Sequence, residues 1–312
     1  MISIVIPCYN EEKNLPLLYE RISAAAGKWN EAYEVILVDD SSRDSSWEII
    51  TDIHQHDERW KAIRFSRNFG HQIAITAGIK HARGDAVILM DADLQDPPEI
   101  LDQFIGKWKE GYKVVYGIRA TRKEGLIKKA CYAFFYRLMG KVSDTEMPND
   151  SGDFCLVDRK IAEILNDMPE QNRFVRGLRA WAGFSQIGIE YDRDARAAGE
   201  VQYTFRKLLK LATDGIFSFS IAPIRVATYF GLVVSIIAAT GALAILIWRL
   251  TSDFELPGYA TTILSVLFLG GVQLVTLGII GEYIGRIYDE VKRRPLWIKE
   301  KSVGFTDGED GV

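Results

Sequence analysis

Apolar runs of strand length recur through the first third of the chain, at Ile2–Pro7, Glu34–Asp39, Ala62–Ser66, Ala86–Asp91 and Lys113–Gly117. Between them lie mixed polar and apolar stretches of helical length, such as EEKNLPLLYERISAAAGKW from Glu11 to Trp29. Near-continuous Val, Ile and Leu strands alternating with helices predict an α/β fold built on a parallel sheet with both faces covered. Ligands bind such sheets beyond the carboxyl ends of the strands. The first predicted strand runs into PCYNEE, the second into VDDSS and the fourth into MDADLQD. These three polar clusters are therefore expected at one edge.

The pattern changes after residue 118. In GLIKKACYAFFYRLMGKV, Ile127, Cys131, Phe134 and Leu138 fall at helical spacing among Lys128, Lys129 and Arg137. That spacing fits a helix packed on the sheet or one lying in a membrane interface. Residues 204–222 are basic and amphipathic, and here the interfacial reading is preferred because an apolar run follows. Residues 226–248 and 260–281 carry no charge. At about 1.5 Å per residue, each is long enough to cross a hydrocarbon core of roughly 30 Å. The short connection RLTSDFELPG makes the pair a hairpin. Arg206, Lys207, Lys210 and Arg225 precede it, and Arg286, Lys292, Arg293 and Arg294 follow it. The connection holds Arg249, Asp253 and Glu255. The positive-inside rule then places both ends, and with them the domain before the hairpin, in the cytoplasm, with the hairpin in the inner (plasma) membrane. The expected organisation is a domain over 1–203, a juxtamembrane segment over 204–225, two spans at about 226–250 and 260–285, and a tail over 286–312 ending in the acidic GFTDGEDGV.

Composition changes this picture little. Among 312 residues the formal net charge is −4, which gives no basic footprint for nucleic acid. Cys8, Cys131 and Cys155 have no metal-ligand spacing and are expected to be buried reduced thiols. His54, His56, His71 and His81 likewise form no ligand set. No basic-then-apolar leader precedes the first strand, so no cleaved signal is expected.

The acids after the fourth strand demand an explanation. Asp91, Asp93 and Asp96 fall within six residues, followed by Pro97 and Pro98. Each carboxylate makes ionising the next harder. A hard divalent cation, Mg²⁺ or Mn²⁺, carrying the phosphates of a nucleotide would relieve the crowding. Asp93 is the first choice as direct ligand, Gln95 can add its amide oxygen, and Asp91 is expected to face the nucleotide sugar. Neither a G-x-G-x-x-G fingerprint nor a Walker A loop is present. Pro7, Tyr9, Asn10 and Glu11 offer a ring, an amide and an acid after the first strand. Asp39 or Asp40 can accept from a base or a ribose hydroxyl, while Ser41 or Ser42 can cap the next helix.

IVIPCYNEE, VILVDDSSRDSS, RNFGHQIAITAGIKHARGD, MDADLQDPPE, SGDFCLVDR and RAAGE, followed by two spans ending LGIIGEYIGRIYDEVKRRP, resemble the family 2 inverting glycosyltransferases. Within them the chain is similar to the polyprenyl-phosphate glycosyltransferases of the bactoprenol (GtrB) type and, more distantly, to dolichol-phosphate mannose synthase. The resemblance implies a GT-A fold, a UDP-sugar donor, Mg²⁺ or Mn²⁺, and undecaprenyl phosphate as acceptor. It implies that Pro7, Tyr9, Glu11 and Asp40 hold the nucleotide, that Asp91, Ala92, Asp93 and Gln95 hold the diphosphate and metal, and that Asp153 is the proposed catalytic base. Arg119 and Arg196 match cations near the phosphates, and relatives form tetramers. Close packing of spans through Gly270, Gly271, Gly278 and Gly281 would suit a homo-oligomer. Where relatives often read Gly-Glu-Ser-Lys-Tyr, this chain has Gly199, Glu200, Val201, Gln202 and Tyr203.

The implied reaction is a single in-line displacement. A phosphate monoester with a second pKa of about 6 is mostly dianionic at neutral pH and needs no strong base. Asp153 is then expected to orient the acceptor more than to deprotonate it, with Arg122 and Lys123 as further cations for the acceptor phosphate. Glucose is the first guess for the sugar. Two rivals stand beside this reading: a polysaccharide synthase of the same fold, whose Q-x-x-R-W motif is missing, and a membrane-anchored nucleotide-sugar sensor.

Overall fold

Alternating side chains of the first strands feed two separate cores. Ile2, Ile4 and Ile6 of β1 (Ile2–Cys8) and Val35 and Leu37 of β2 (Tyr33–Asp39) join one apolar cluster. Val5, Ile36 and Val38 join the other. Both strands are buried along their whole length, which is the signature of a sheet covered on both faces. The computed structural model describes residues 1–119, 151–192, 222–251 and 258–305.

The remaining elements follow in chain order: α1 (Leu15–Ala26), α2 (Ser46–His56), β3 (Trp60–Phe65), α3 (His71–His81), β4 (Ala86–Leu89), a 3₁₀ turn (Pro98–Ile100), α4 (Leu101–Lys109), β5 (Val114–Arg119), β6 (Ser151–Asp158), α5 (Arg159–Asp167), α6 (Val175–Trp181), β7 (Gln186–Tyr191), α7 (Ala222–Thr251), α8 (Tyr259–Lys292) and β8 (Lys299–Val303). Leu15, Leu18 and Ile22 form the buried stripe of α1, at the spacing a helix needs to face a sheet. The Asp158 side chain caps α5 by accepting from the Lys160 N–H at 3.1 Å. Helices α1, α2 and α4 cover one face of the sheet, and α3, α5 and α6 the other.

The sheet has eight strands in the order β7-β5-β6-β4-β1-β2-β3-β8. Its centre, β3-β2-β1-β4, is parallel as expected. The fifth predicted strand does not continue that ladder. Instead β6 inserts antiparallel between β4 and β5, and β7 runs parallel to β5 at the edge. The segment expected as a tail also differs, because β8 adds antiparallel to β3.

Close approach fixes some of these junctions. A Cβ on Gly84 would lie 2.6 Å from the Ser3 nitrogen and 2.8 Å from the Met1 oxygen. Both are backbone atoms that cannot swing aside. Gly84→Ala is expected to destabilise the chain by about 1–3 kcal/mol. Thermal unfolding of the detergent-solubilised protein, followed by tryptophan fluorescence, should show a lower midpoint, and an unchanged midpoint counts against the packing argument.

Two long apolar helices complete the chain. α7 has 30 residues and α8 has 34. At about 1.5 Å per residue they are roughly 45 and 50 Å long, more than a bilayer core requires. Leu250, Leu274 and many other large apolar side chains point outward. A face of that kind suits lipid rather than water, and the two helices fit a membrane hairpin. α8 runs past its uncharged stretch through Glu282, Arg286, Asp289 and Glu290 to Lys292.

Candidate active site

Three chain ends at one edge of the sheet are bent through the left-handed region by residues other than glycine. Asn10 has φ 58° after β1, Ser41 has φ 62° after β2, and Leu94 has φ 59° after β4. Each such residue costs about 1 kcal/mol or more and persists only where its surroundings hold it. Leu94 is held by its buried side chain and by the Gln95 N–H, which donates to Asp93 Oδ1 at 3.1 Å. Asn10 is held by its N–H donating to Ser42 Oγ at 2.9 Å, while its Oδ1 accepts the Arg43 N–H at 2.8 Å. The register Cys8↔Asp39 aligns the ends of β1 and β2, so these turns share one rim.

The antiparallel β6 adds Asp153 to that rim. Leu89 pairs with Cys155. Asp91, two residues beyond Leu89, and Asp153, two residues before Cys155, therefore emerge together. The Asp91 carboxyl is pushed up to about 6, first by desolvation, with the negative Asp153, Asp96 and Asp93 adding to it and His71 opposing. His71 Nε2 stands 3.6 Å from Asp91 Oδ1. Asp153 behaves in the opposite way. Burial raises its carboxyl, but Arg176 and His71 more than offset this and hold it below the usual range. Arg176 Nε donates to Asp153 Oδ1 at 3.3 Å. Next to this pair, Tyr191 O–H donates to the buried Asp96, and Arg119 Nε reaches the Tyr191 oxygen at 3.5 Å.

The second wing of the rim is built from hydrogen bonds between loops. The Glu11 N–H donates to Ser46 Oγ at 2.9 Å, and Glu11 Oε2 accepts from Asn14 Nδ2 at 2.5 Å. Asp39 is fully buried, accepts the Ser42 N–H at 3.0 Å, and has Arg64 Nε 3.6 Å from its other oxygen. Asp40 takes the Phe69 N–H at 2.6 Å on one oxygen and the Gly70 N–H at 2.9 Å on the other. Burial raises both the Asp39 and Asp40 carboxyls despite these bonds. Gly70 has φ 102°, which favours glycine at the turn that starts α3 and presents His71. Tyr9 is exposed, whereas Pro7 and Ala92 are buried in the frame.

The rim thus gathers Tyr9, Asn10, Glu11, Asp39, Asp40, Asp91, Asp93, Gln95, Arg119 and Asp153, with Pro7 and Ala92 beneath them. Arg122, Lys123, Arg196, the 199–203 motif, Cys131 and the two proposed amphipathic segments, save Ala222 at the start of α7, lie outside the described residues. Cys8 and Cys155 are free and buried, as expected, and burial raises both thiols. Sequence reasoning passed over Arg176, Arg179 and Tyr191. A signal for the arginines existed: Arg173, Arg176 and Arg179 recur every third residue, as on one helix face. Arg179 is 2% exposed and donates to the Gly152 carbonyl at 3.5 Å. Its neighbour Arg173 is buried as well, donating to the Met168 and Leu165 carbonyls.

Residues 3–165 match the model of glycosyl transferase family 2, and residues 222–287 match the GtrB C-terminal hairpin. The chain belongs to glycosyl transferase family 2. This glycosyltransferase is 48% identical to the uncharacterized glycosyltransferase YkcC of Bacillus subtilis (strain 168), over 97% of this chain and 94% of that protein. It is 39% identical to the SfII prophage-derived bactoprenol glucosyl transferase of Shigella flexneri, over 96% of this chain and 98% of that one. The mannosyltransferase PcManGT of Pyrobaculum calidifontis, solved with GDP-Man and Mn²⁺, aligns over 94% of this chain and 88% of that one at 15% identity and a TM-score of 0.46. A likeness at that level carries no functional weight.

The carboxylates of the glycosyltransferase suit an oxygen-preferring divalent cation. Among the described residues, no three His, Cys, Asp or Glu side chains gather closely enough to hold an ion unaided. Burial, with the neighbouring acids adding to it, lifts the Asp91 carboxyl, and positive charge at the rim would relieve it. A cation that arrives with phosphate oxygens meets both facts.

Proposed function

We propose that this glycosyltransferase moves a sugar, glucose in the first instance, from a UDP-sugar to polyprenyl phosphate in the membrane, by one displacement that inverts the anomeric centre. The observation that carries the proposal is the pairing of Arg176 with Asp153 beside Asp91 at the strand ends, in a chain that also bears the hairpin. Relatives named bactoprenol glucosyl transferases match it over nearly its whole length, which supports the acceptor and the sugar.

The residues divide the work by charge. The wing formed by Tyr9, Asn10, Glu11, Asp39 and Asp40 would take the nucleoside, with Asp39 and Asp40 shaping the loops that face it. Asp93 and Gln95 would hold Mg²⁺ or Mn²⁺ against the diphosphate, with Asp91 toward the sugar. The cation, when bound, neutralises charge on the departing diphosphate. Arg119, held by Tyr191 and Asp96, would face the donor phosphates, as would Arg196, and Arg122 and Lys123 would attract the acceptor phosphate. Asp153, kept ionised by Arg176, is poorly suited to removing a proton at neutral pH and well suited to orienting cations around an acceptor that is already dianionic.

Asp153→Asn is therefore expected to lower turnover about tenfold while leaving its pH dependence without a new alkaline requirement. Steady-state rates across a pH range of roughly 5.5 to 9, which brackets the second phosphate ionisation, check this. Recovery of the variant only at high pH would reinstate Asp153 as a base. The function itself is tested by incubating the full chain in membranes with radiolabelled UDP-glucose and undecaprenyl phosphate, with and without a chelator. Labelled lipid and released UDP are expected, and both are lost with chelator. Donor binding without any UDP release would favour the sensor reading instead.

The location is part of the proposal. The hairpin would lie in the inner membrane with the catalytic domain and both ends cytoplasmic, in line with the flanking arginines and lysines. Glu290, beyond the second apolar run, bonds to the catalytic domain, and β8 joins its sheet, which supports a C-terminal segment on the same side as the catalytic site. A homo-oligomer is also proposed: among the described residues, a Cβ added at Gly270, Gly271, Gly278 or Gly281 would meet nothing within 4 Å, which supports close packing of these faces against a second copy.

A further inference from the structure

α8 carries an acid where its own electrostatics disfavour one. Glu290 lies in the last turn, beside the negative end of the helix dipole, where cations are favoured. Its carboxylate is instead committed to the catalytic domain. Oε1 and Oε2 accept the Gln171 N–H at 2.9 and 3.0 Å, and Oε1 lies 3.4 Å from the Asn172 nitrogen. Bonds from N–H groups to a carboxylate are the stronger kind.

The loop it grips leads straight to the site. Residues 171–174 feed α6, which carries Arg176 against Asp153 and Arg179 against Gly152. The far end of the loop is pinned by the Val175 N–H, which donates at 2.9 Å to Gln72 Oε1, next to His71. The loop is thus fixed on one side by α3 of the catalytic domain and on the other by the extension of the second apolar helix. Beyond Glu290 the chain turns at Arg293, with φ 46°, Trp297 stacks on Phe65 at 6.2 Å, and β8 brings Glu300 within 3.6 Å of Arg64, the cation facing Asp39. The extension of the hairpin therefore contacts the loop before α6 on one side and, through Phe65 and Arg64, the strand β3 behind Asp39 on the other.

We propose that Glu290 is a positioning residue for sugar transfer: by holding the 171–172 backbone it sets α6, and with it Arg176 against Asp153, according to how the hairpin is seated. This rests on the transfer activity proposed above. The acid at the end of α8 breaks a local rule of helix electrostatics, and the compensating gain is the contact with the loop.

The test uses the full chain in lipid, with UDP-sugar and undecaprenyl phosphate. Glu290→Ala should lower kcat about tenfold, the scale of a lost charge-assisted hydrogen bond, with the donor KM within about twofold of wild type. Glu290→Gln keeps an oxygen acceptor and should recover part of the loss. Amide exchange over residues 171–180 should quicken in Glu290→Ala. In a double-mutant cycle, Glu290→Ala should add little to Arg176→Ala, because both act through one pair. Losses that multiply, a kcat equal to wild type, or exchange over 171–180 that does not change would each overturn this proposal alone, provided wild type is active. A wild-type chain that transfers no sugar overturns the reading of the reaction, and this inference with it.

Discussion

Asp93→Ala is expected to reduce sugar transfer about a thousandfold, the scale seen when a group that stabilises developing charge is removed. Asp93 is 6% exposed, so its carboxylate is costly to keep buried unless something positive meets it. It also accepts the Gln95 N–H, which helps hold Leu94 in its left-handed turn. Alanine removes both contributions, so a second variant must separate them. Asp93→Asn keeps an oxygen for the Gln95 N–H and loses the charge. If the charge carries the effect, Asn should be nearly as slow as Ala, and the Mg²⁺ dependence of UDP binding measured by calorimetry should fall in both. An Asn variant with near wild-type transfer would reduce Asp93 to a residue that shapes the turn.

Arg176→Ala should lower turnover roughly 10- to 100-fold. The Arg176 and Asp153 side chains are 25% and 24% exposed, so their pair lies between a surface bridge and a buried one, worth about 1–3 kcal/mol. Without the guanidinium, Asp153 stands near Asp91 with less positive charge to answer it. The pH effect has a definite sign. Arg176 helps depress the Asp153 carboxyl in the native chain, so its loss moves that carboxyl up toward the ordinary range. The ionised form is then lost at a higher pH as the medium is acidified, and the part of the acid limb that lies below the second phosphate ionisation, at roughly pH 4, should shift upward. Arg176→Lys restores a cation without the planar fork and should recover only part of the rate. An Arg176→Ala variant with wild-type turnover and an unmoved acid limb would remove the pair from the reaction.

Much of the fold was legible in the chain itself, because local periodicity reports local environment. Strands buried on both faces need apolar residues at nearly every position, and the runs ending at Pro7, Asp39 and Asp91 have them. Polar clusters at the ends of parallel strands must share an edge, which is enough to place Asn10, Asp40 and Asp93 on one rim. Two uncharged runs of span length can only be lipid-facing or deeply buried, and their outward side chains suit lipid. The tertiary structure alone decided what depends on pairing between distant segments. Nothing local in SGDFCLVD says that it inserts antiparallel between β4 and β5, yet that insertion is what sets Asp153 beside Asp91. The arginines of α6 show a helical repeat, but which acid they meet depends on how the helix docks. Glu290 and β8 belong to a stretch that reads as a charged tail, and they acquire their roles only by returning to a sheet whose central strands lie at the other end of the chain. Propensity and hydrophobic pattern are properties of neighbouring residues, whereas the charge balance of the rim comes from contacts that exist only once the whole sheet has closed.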